Sequence, residues 1–254
     1  MTEDLLEVAL RAAHGAGALL RERAGTDPSG VVSKSSSTDL VSDADRDAEA
    51  LVIGTIRAAR PDDGVLAEEG GGGEGASGIT WVVDPLDGTT NYLWGLPQWC
   101  VSIAATDADG GLVGVVHDPS RGETFRAVRG GGAWLGDRPL RVGPGRPLGE
   151  ALVGTGFSYR ADERARQAER LRGVLPAVRD VRRLGAAALD LAWVAAGRLD
   201  GYFETGLNPW DRAAGELVAR EAGAVIEDLE PRGVIVAGPD LIGPLARLVH
   251  GAGA

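Results

Sequence analysis

Two aspartates three residues apart, Asp84 and Asp87, close the apolar run WVVDPLDGTTNY at positions 81–92, with Gly88, Thr89 and Thr90 directly behind them. A carboxylate at the end of a buried strand is costly unless a positive charge sits beside it. No lysine or arginine occurs between Ala76 and Pro119, so compensation comes from a distant segment or from a bound cation. In a straight strand, residues three apart point to opposite faces. Pro85 denies the strand its next donor and predicts a turn, which lets both carboxylates converge. Gly88 permits close backbone approach, and Thr89, Thr90 and Asn91 suit the start of a helix whose N–H groups attract an anion. Carboxylates converging beside an anion site need a cation between them. Mg2+ fits, because it prefers oxygen ligands and commonly takes one or two carboxylates plus phosphate oxygens.

A single residue between the aspartates, D-x-D-G-T, would point to the aspartate nucleophile of the haloacid-dehalogenase phosphatases. Two residues intervene here, which favours metal-activated water over a covalent aspartyl intermediate. Glu68 and Glu69 end a short strand and enter a glycine-rich loop, while Asp211 in NPWDRAAGELVAREAGA opens a helix after Pro209 and Trp210. Taken singly, Asp211 reads as a helix cap and the glutamate pair as a solvated loop. Together these acids all stand at element ends, where functional sites are built.

The elements that must position them follow from periodicity. Leu5, Leu6, Val8, Ala9, Ala12, Ala13, Ala16, Leu19 and Leu20 keep a helical stripe to about Arg23. Ser42 precedes an acidic first turn with Asp45 at the capping-box position, predicting a second helix to about Arg60, stopped by Pro61. The run GGGGEGASG at 70–78 reads as a flexible connection; no Lys-Ser/Thr follows it, so a nucleotide cradle is weakly supported. From Ile79, the segments TWVVD, QWCVSIAAT, LVGVVHD, ETFRAV and AWLG predict an antiparallel sheet. After Pro144 strands and helices alternate, with helices expected at 162–178, 186–196, 211–222 and near 241–249. This texture predicts layered α/β packing in two lobes, 1–145 and 146–254, that form one unit.

AEE at 67–69, WVVDPLDGTTNY at 81–92 and WDRAAGELVAREAGA at 210–224 resemble the signatures of the inositol monophosphatase family, the Mg2+-dependent, lithium-sensitive phosphatases. KSSSTDLVSDAD at 34–45 is similar to that family's lysine-containing lobe, and the resemblance runs from about Glu7 to Leu229. It implies a five-layer αβαβα sandwich of the inositol monophosphatase and fructose-1,6-bisphosphatase type, a homodimer, and two to three Mg2+ ions per site. By resemblance, Glu68, Asp84 and the Leu86 carbonyl hold one ion, and Asp84, Asp87 and Asp211 a second. Asp45 and Thr89 form the hydrogen-bonded pair that, with Glu68, orients and deprotonates a water, with Lys34 beside the metals. The N–H groups of Gly88 and Thr89 take the phosphate, while Asp87, Asp211, Glu204 and the backbone near Ala187 contact polyol hydroxyls. Two metals roughly 3.5–4 Å apart can clamp the attacking and leaving oxygens of an in-line displacement. The chain departs from the family pattern at Ala67, where Gly is common, and at Leu86 and Tyr92, where Ile and Phe are more frequent; Leu86 acts through its carbonyl.

Composition bounds these expectations. At 254 residues and 44% hydrophobic content, the chain can build a sizeable core. A formal net charge of -11 argues against a general nucleic-acid or acidic-membrane surface, yet permits a phosphate substrate reached through metal ions. The acidic N-terminus and the short apolar runs lead to a cytoplasmic expectation. Cys100 is the only cysteine, which excludes an internal disulfide and a cysteine-built zinc site. Lys34 is the only lysine among 26 basic residues. His14, His117 and His250 fall in no motif and read as structural or surface; Arg182 and Arg183 could approach an anionic substrate, but read first as solvated or dimer-facing. The expected function is Mg2+-dependent hydrolysis of inositol monophosphate, a small phosphorylated polyol. Sister substrates are histidinol phosphate, fructose 1,6-bisphosphate and 3',5'-bisphosphorylated nucleotides. From another class, the alternative is a regulatory or RNA-polymerase-associated binding protein that keeps the site as a relic.

Overall fold

The computed structural model describes residues 2–25, 30–33 and 40–251. Helices α1 (Thr2–Arg23) and α2 (Asp43–Ala59) pack together and form an outer layer. Their apolar stripes, including Leu5, Val8, Ala12, Val52 and Ile56, are buried against one face of a seven-stranded sheet. Between the two helices lies a short antiparallel pair, β1 (Val32–Ser33) and β2 (Leu40–Val41).

The large sheet runs in sequence order: β3 (Gly64–Ala67), β4 (Thr80–Asp87), β5 (Cys100–Asp107), β6 (Gly110–Asp118), β7 (Glu123–Val128), β8 (Gly132–Leu135) and β9 (Arg138–Pro139). Its pairs are antiparallel, as expected, except that β3 lies parallel to β4. A five-residue helix, α3 (Thr89–Leu93), follows β4. Period-two alternation along β4 sends Trp81 and Val83 to the α1/α2 face and Val82 to the other.

A second sheet has the order β11 (Asp180–Arg182), β10 (Leu152–Thr155), β12 (Gly201–Glu204), β14 (Gly233–Ala237), β13 (Val225–Leu229). Helices α5 (Ala187–Ala195) and α6 (Pro209–Glu221) fill the space between the sheets, and α4 (Ala161–Val174) and α7 (Pro239–Gly251) are paired beyond the second sheet, α7 packing on its outer face. The result is the expected α-β-α-β-α order, with an apolar cluster at each interface. Helix α4 stops at Val174, short of the expected 178, because Pro176 has no N–H with which to continue it. Among the described residues, no helix is long and apolar enough to cross a membrane.

The glycine run is not the flexible connection its composition suggests. Val65 and Gly73 exchange both backbone hydrogen bonds at 2.8 Å, folding the segment back onto β3. A Cβ on Gly72 would stand 2.2 Å from the Val65 carbonyl oxygen, so the backbones approach this closely only because no side chain intervenes. Gly72→Ala is expected to destabilise the protein by about 1–3 kcal/mol in urea titrations. Gly73→Ala, with open space at its Cβ, should stay within about 0.5 kcal/mol of the parent; equal effects at the two positions would contradict this packing.

The seam between α1 and the large sheet carries two histidines. His14 and His117 meet edge to face with centroids 4.7 Å apart, and both contact the Thr124 hydroxyl at 3.0 Å. Burial, reinforced by the neighbouring His14, pushes the His117 pKa down from 6.5 to about 4. The unfolded chain therefore binds a proton that the folded one refuses between those values, so stability falls as pH drops from about 6.5 towards 4. The full effect is up to about 3 kcal/mol. Urea midpoints measured from pH 7 to 4.5 should fall less steeply in His117→Asn than in the parent; parallel slopes would show that another group controls the acid limb.

Candidate active site

The chain does not turn at Pro85. Strand β4 continues to Asp87, and its register against β5 shifts, with Asp84 facing Ser102 and Asp87 facing Cys100. Three steps along β4 thus span two along β5, a bulge of one residue. That extra residue reverses the alternation, so Asp84 and Asp87 reach the same side by a route different from the expected turn. Within the bulge, the Leu86 N–H donates to Asp84 Oδ1 at 3.0 Å. Gly88 then joins β4 to α3 with φ 95°, and a Cβ there would lie 2.9 Å from the Gln98 carbonyl oxygen, so the junction requires glycine.

Glu68, Asp84, Leu86, Asp87, Gly88, Thr89, Ala187, Glu204 and Asp211 line one cavity of about 460 Å³. They arrive from the ends of β3, β4 and β12 and the starts of α3, α5 and α6. Asp45 reaches the cavity through Thr89, whose hydroxyl donates to Asp45 Oδ1 at 2.9 Å with the Leu86 carbonyl as second acceptor at 3.1 Å. The other oxygen of Asp45 accepts the Ser42 N–H at 2.9 Å and the Ser42 hydroxyl at 2.5 Å. Asp45 is therefore both the predicted cap of α2 and the partner of Thr89. Lys34 lies outside the described residues.

Backbone N–H groups hold the acids in place. Asp87 Oδ2 accepts the Ala188 N–H at 2.7 Å at the start of α5, so the segment expected to touch substrate also positions Asp87. Asp211 Oδ2 accepts the Asn208 N–H at 2.6 Å, completing a capping box at the start of α6. These donors only partly offset the electrostatics of the cluster. Burial, then repulsion from Glu68, Asp87 and Asp211, raises the Asp84 pKa well above the usual carboxylate range. Burial also raises Asp87 to about 7, against the pull of the Ala188 N–H. Asp211 is raised by burial, opposed by Asn208, and raised further by Asp87, Glu68 and Glu204.

An all-oxygen set of mutually repelling carboxylates, with a backbone carbonyl beside it, fits a hard divalent cation of the Mg2+ type. Among the described residues, no three acid, histidine or cysteine side chains already stand at closed ligand spacing. Burial and the neighbouring Glu68 carboxylate oppose ionisation of Asp84, a penalty that a cation bound between them would relieve.

Several further residues stand at or beside the site with little or no signal in the sequence. Tyr202, fully buried, donates its hydroxyl to Glu204 Oε2 and fixes the carboxylate that the resemblance assigns to substrate. Arg183 lines the cavity rather than facing away from it, and its charge lowers the Glu204 pKa against the raising effect of burial. Asp190 is buried on α5 with Oδ1 unpaired among the described residues, its pKa raised well above the usual range by burial and then by Asp87 and Glu204. Glu49, one turn after Asp45 on α2, accepts the N–H groups of Glu69 and Gly71 at 2.7 and 2.9 Å. These residues lack motif spacing because their partners are backbone groups or lie in other elements.

Layered sheets with carboxylates gathered at their seam define a class of metal-dependent phosphatase folds. The chain matches the inositol monophosphatase family across residues 1–252, and it belongs to that family. It is 45% identical over 226 residues to the Nus factor SuhB of Escherichia coli (strain K12), covering 88% of this chain and 85% of that protein. To the inositol-1-monophosphatase of Mesorhizobium japonicum it is 43% identical over 246 residues, covering 94% and 92%. The solved extragenic suppressor protein suhB from Bartonella henselae superimposes with a TM-score of 0.91 at 38% identity, over 96% of this chain and 98% of that one. The family is generally metal-dependent, and membership supports a phosphatase acting on a small phosphorylated substrate.

The repulsion around Asp84 has a thermodynamic consequence. In metal-free protein at pH 8, Asp84→Asn should raise stability by about 1–2 kcal/mol, roughly 2–8 °C in Tm for a chain of this size. The same variant should lose the rise in Tm that added Mg2+ gives the parent. Differential scanning calorimetry with and without EDTA reads both effects, and a metal-free variant that melts below the parent would contradict the assignment.

Proposed function

We propose that the chain is a Mg2+-dependent phosphomonoesterase acting on inositol monophosphate, releasing inositol and phosphate. The convergence of Glu68, Asp84, Asp87, Thr89 and Asp211 on one cavity, with Thr89 bonded to Asp45, carries this reading. Bound Mg2+ supplies positive charge to the phosphate oxygens and lowers the barrier to attack by water. Thr89 directs its hydroxyl proton to Asp45 Oδ1, so its oxygen is left to accept a hydrogen bond from the attacking water. Glu68 accepts the proton that water loses. The N–H groups of Gly88 and Thr89 face the phosphate, and Glu204, steadied by Tyr202, accepts a hydrogen bond from a hydroxyl of the polyol.

A second reading, a binding protein that keeps the site as a relic, draws support from the name Nus factor carried by the Escherichia coli relative. The hydrogen-bonded Thr89–Asp45 pair and the anchored acids favour catalysis, since a relic has no reason to keep them together.

Phosphate release from inositol 1-phosphate should require Mg2+ and stop on addition of EDTA. Thr89→Ala should lower kcat at least about 100-fold with little change in KM. Full turnover in EDTA would sink the metal mechanism. A higher kcat/KM for histidinol phosphate would move the substrate while keeping the chemistry, and failure to turn over any phosphomonoester would favour the binding protein.

A further inference from the structure

We propose that Glu49 is a positioning residue for Glu68, and that α2 sets the Glu68 turn and the Thr89 hydroxyl from one rigid face. The inference rests on the metal-dependent phosphatase reading above. Asp45 and Glu49 are one helical turn apart, at i and i+4, and therefore point the same way. Both are buried, at 1% and 5% exposure, on a helix whose other buried positions are Ala44, Ala48, Val52, Ile53 and Ile56. Two buried carboxylates on one apolar face are costly unless each is fully hydrogen-bonded.

Glu49 meets that condition with one donor on each oxygen. Oε2 accepts the Glu69 N–H at 2.7 Å, and Oε1 accepts the Gly71 N–H at 2.9 Å. Glu68 lies directly before this clamp, and its own N–H donates to the Val83 carbonyl at 3.1 Å. The residue is thus pinned to β4 on one side and to α2 on the other. The approach is close enough that a Cβ on Gly71 would stand 2.7 Å from Glu49 Oε1. An apolar side chain at 49 would fill the same space but leave two backbone donors of the Glu68 turn unpaired. Because Asp45 is fixed on the same helix, the positions of Glu68 and Thr89 are tied together through α2.

Glu49→Gln keeps the shape but turns an N–H2 towards one of the two backbone donors. It should weaken Mg2+ binding, measured by calorimetry without substrate, by about 10–100-fold, and lower kcat with KM changed less than about twofold. Gly71→Ala, which presses on the clamp from the other side, should do the same. Asp118→Asn is the comparison, since Asp118 is a fully buried carboxylate that holds the turn at Ser120 and Arg121 and is not among the residues lining the cavity. It should lower Tm and leave Mg2+ affinity and kcat unchanged. The proposal is overturned if Glu49→Gln and Gly71→Ala behave like Asp118→Asn. A parent that neither binds Mg2+ nor releases phosphate would instead refute the phosphatase reading, and the role assigned to Glu49 with it.

Discussion

Like charges buried close together are the constraint on which this structure turns. Asp84 and Asp87 come from one strand of the large sheet and Asp211 from the start of α6, and each resists ionisation because it is buried among other carboxylates. Such a cluster survives folding only if surrounding elements hold it rigidly. The apolar clusters on both sides of the large sheet and around α5 and α6 supply that rigidity. The acids are then fixed by backbone donors at element ends: Leu86 for Asp84, Ala188 for Asp87 and Asn208 for Asp211. Stability and the site are therefore opposed locally and reconciled by the layered core.

The same economy explains why helix caps and functional groups coincide. Asp45 caps α2 through Ser42 and also receives the Thr89 hydroxyl; Asp211 caps α6 while facing the cavity. A capping carboxylate is already desolvated on one side, oriented, and held at the helix start where the dipole favours negative charge. Its second oxygen is available to a neighbour at little further entropic cost. Reading Asp211 as a cap or as a ligand poses a choice that the structure does not require.

Much of this was legible from the chain. Hydrophobic periodicity located the helices and strands, and the D-x-x-D spacing with its trailing GTT marked the cavity floor. The bulge was not legible, because a proline after a strand aspartate predicts a turn equally well; only pairing with Ser102 and Cys100 distinguishes the two. The glycine run misled for a related reason. Composition reports the freedom of an isolated segment, whereas Gly72 is needed for close approach to Val65. Glu49 left no trace, since its partners are the N–H groups of Glu69 and Gly71, which every non-proline residue possesses.

The two halves of the chain contribute unequally to the cavity. Residues up to Thr89 provide Glu68, Asp84 and Asp87, the bulge carbonyl and the Thr89–Asp45 pair, the parts to which the proposed hydrolysis assigns its chemistry. Glu204, Arg183 and Ala187 line the cavity from the second sheet and the segment that enters α5, and Tyr202 bonds Glu204 from within β12. Tyr202 and Arg183 both act on Glu204, one by hydrogen bond and one by charge, so that carboxylate's strength as an acceptor is adjustable without touching Asp84, Asp87 or Asp211. Asp211 is the exception that links the halves, reaching the acids of the first sheet from a helix of the second half. Under the proposed reading, the wall that includes Phe157, Ser158, Arg183 and Glu204 is therefore the part free to change with substrate, whereas β4, α2 and the start of α6 hold the acids on which the chemistry depends.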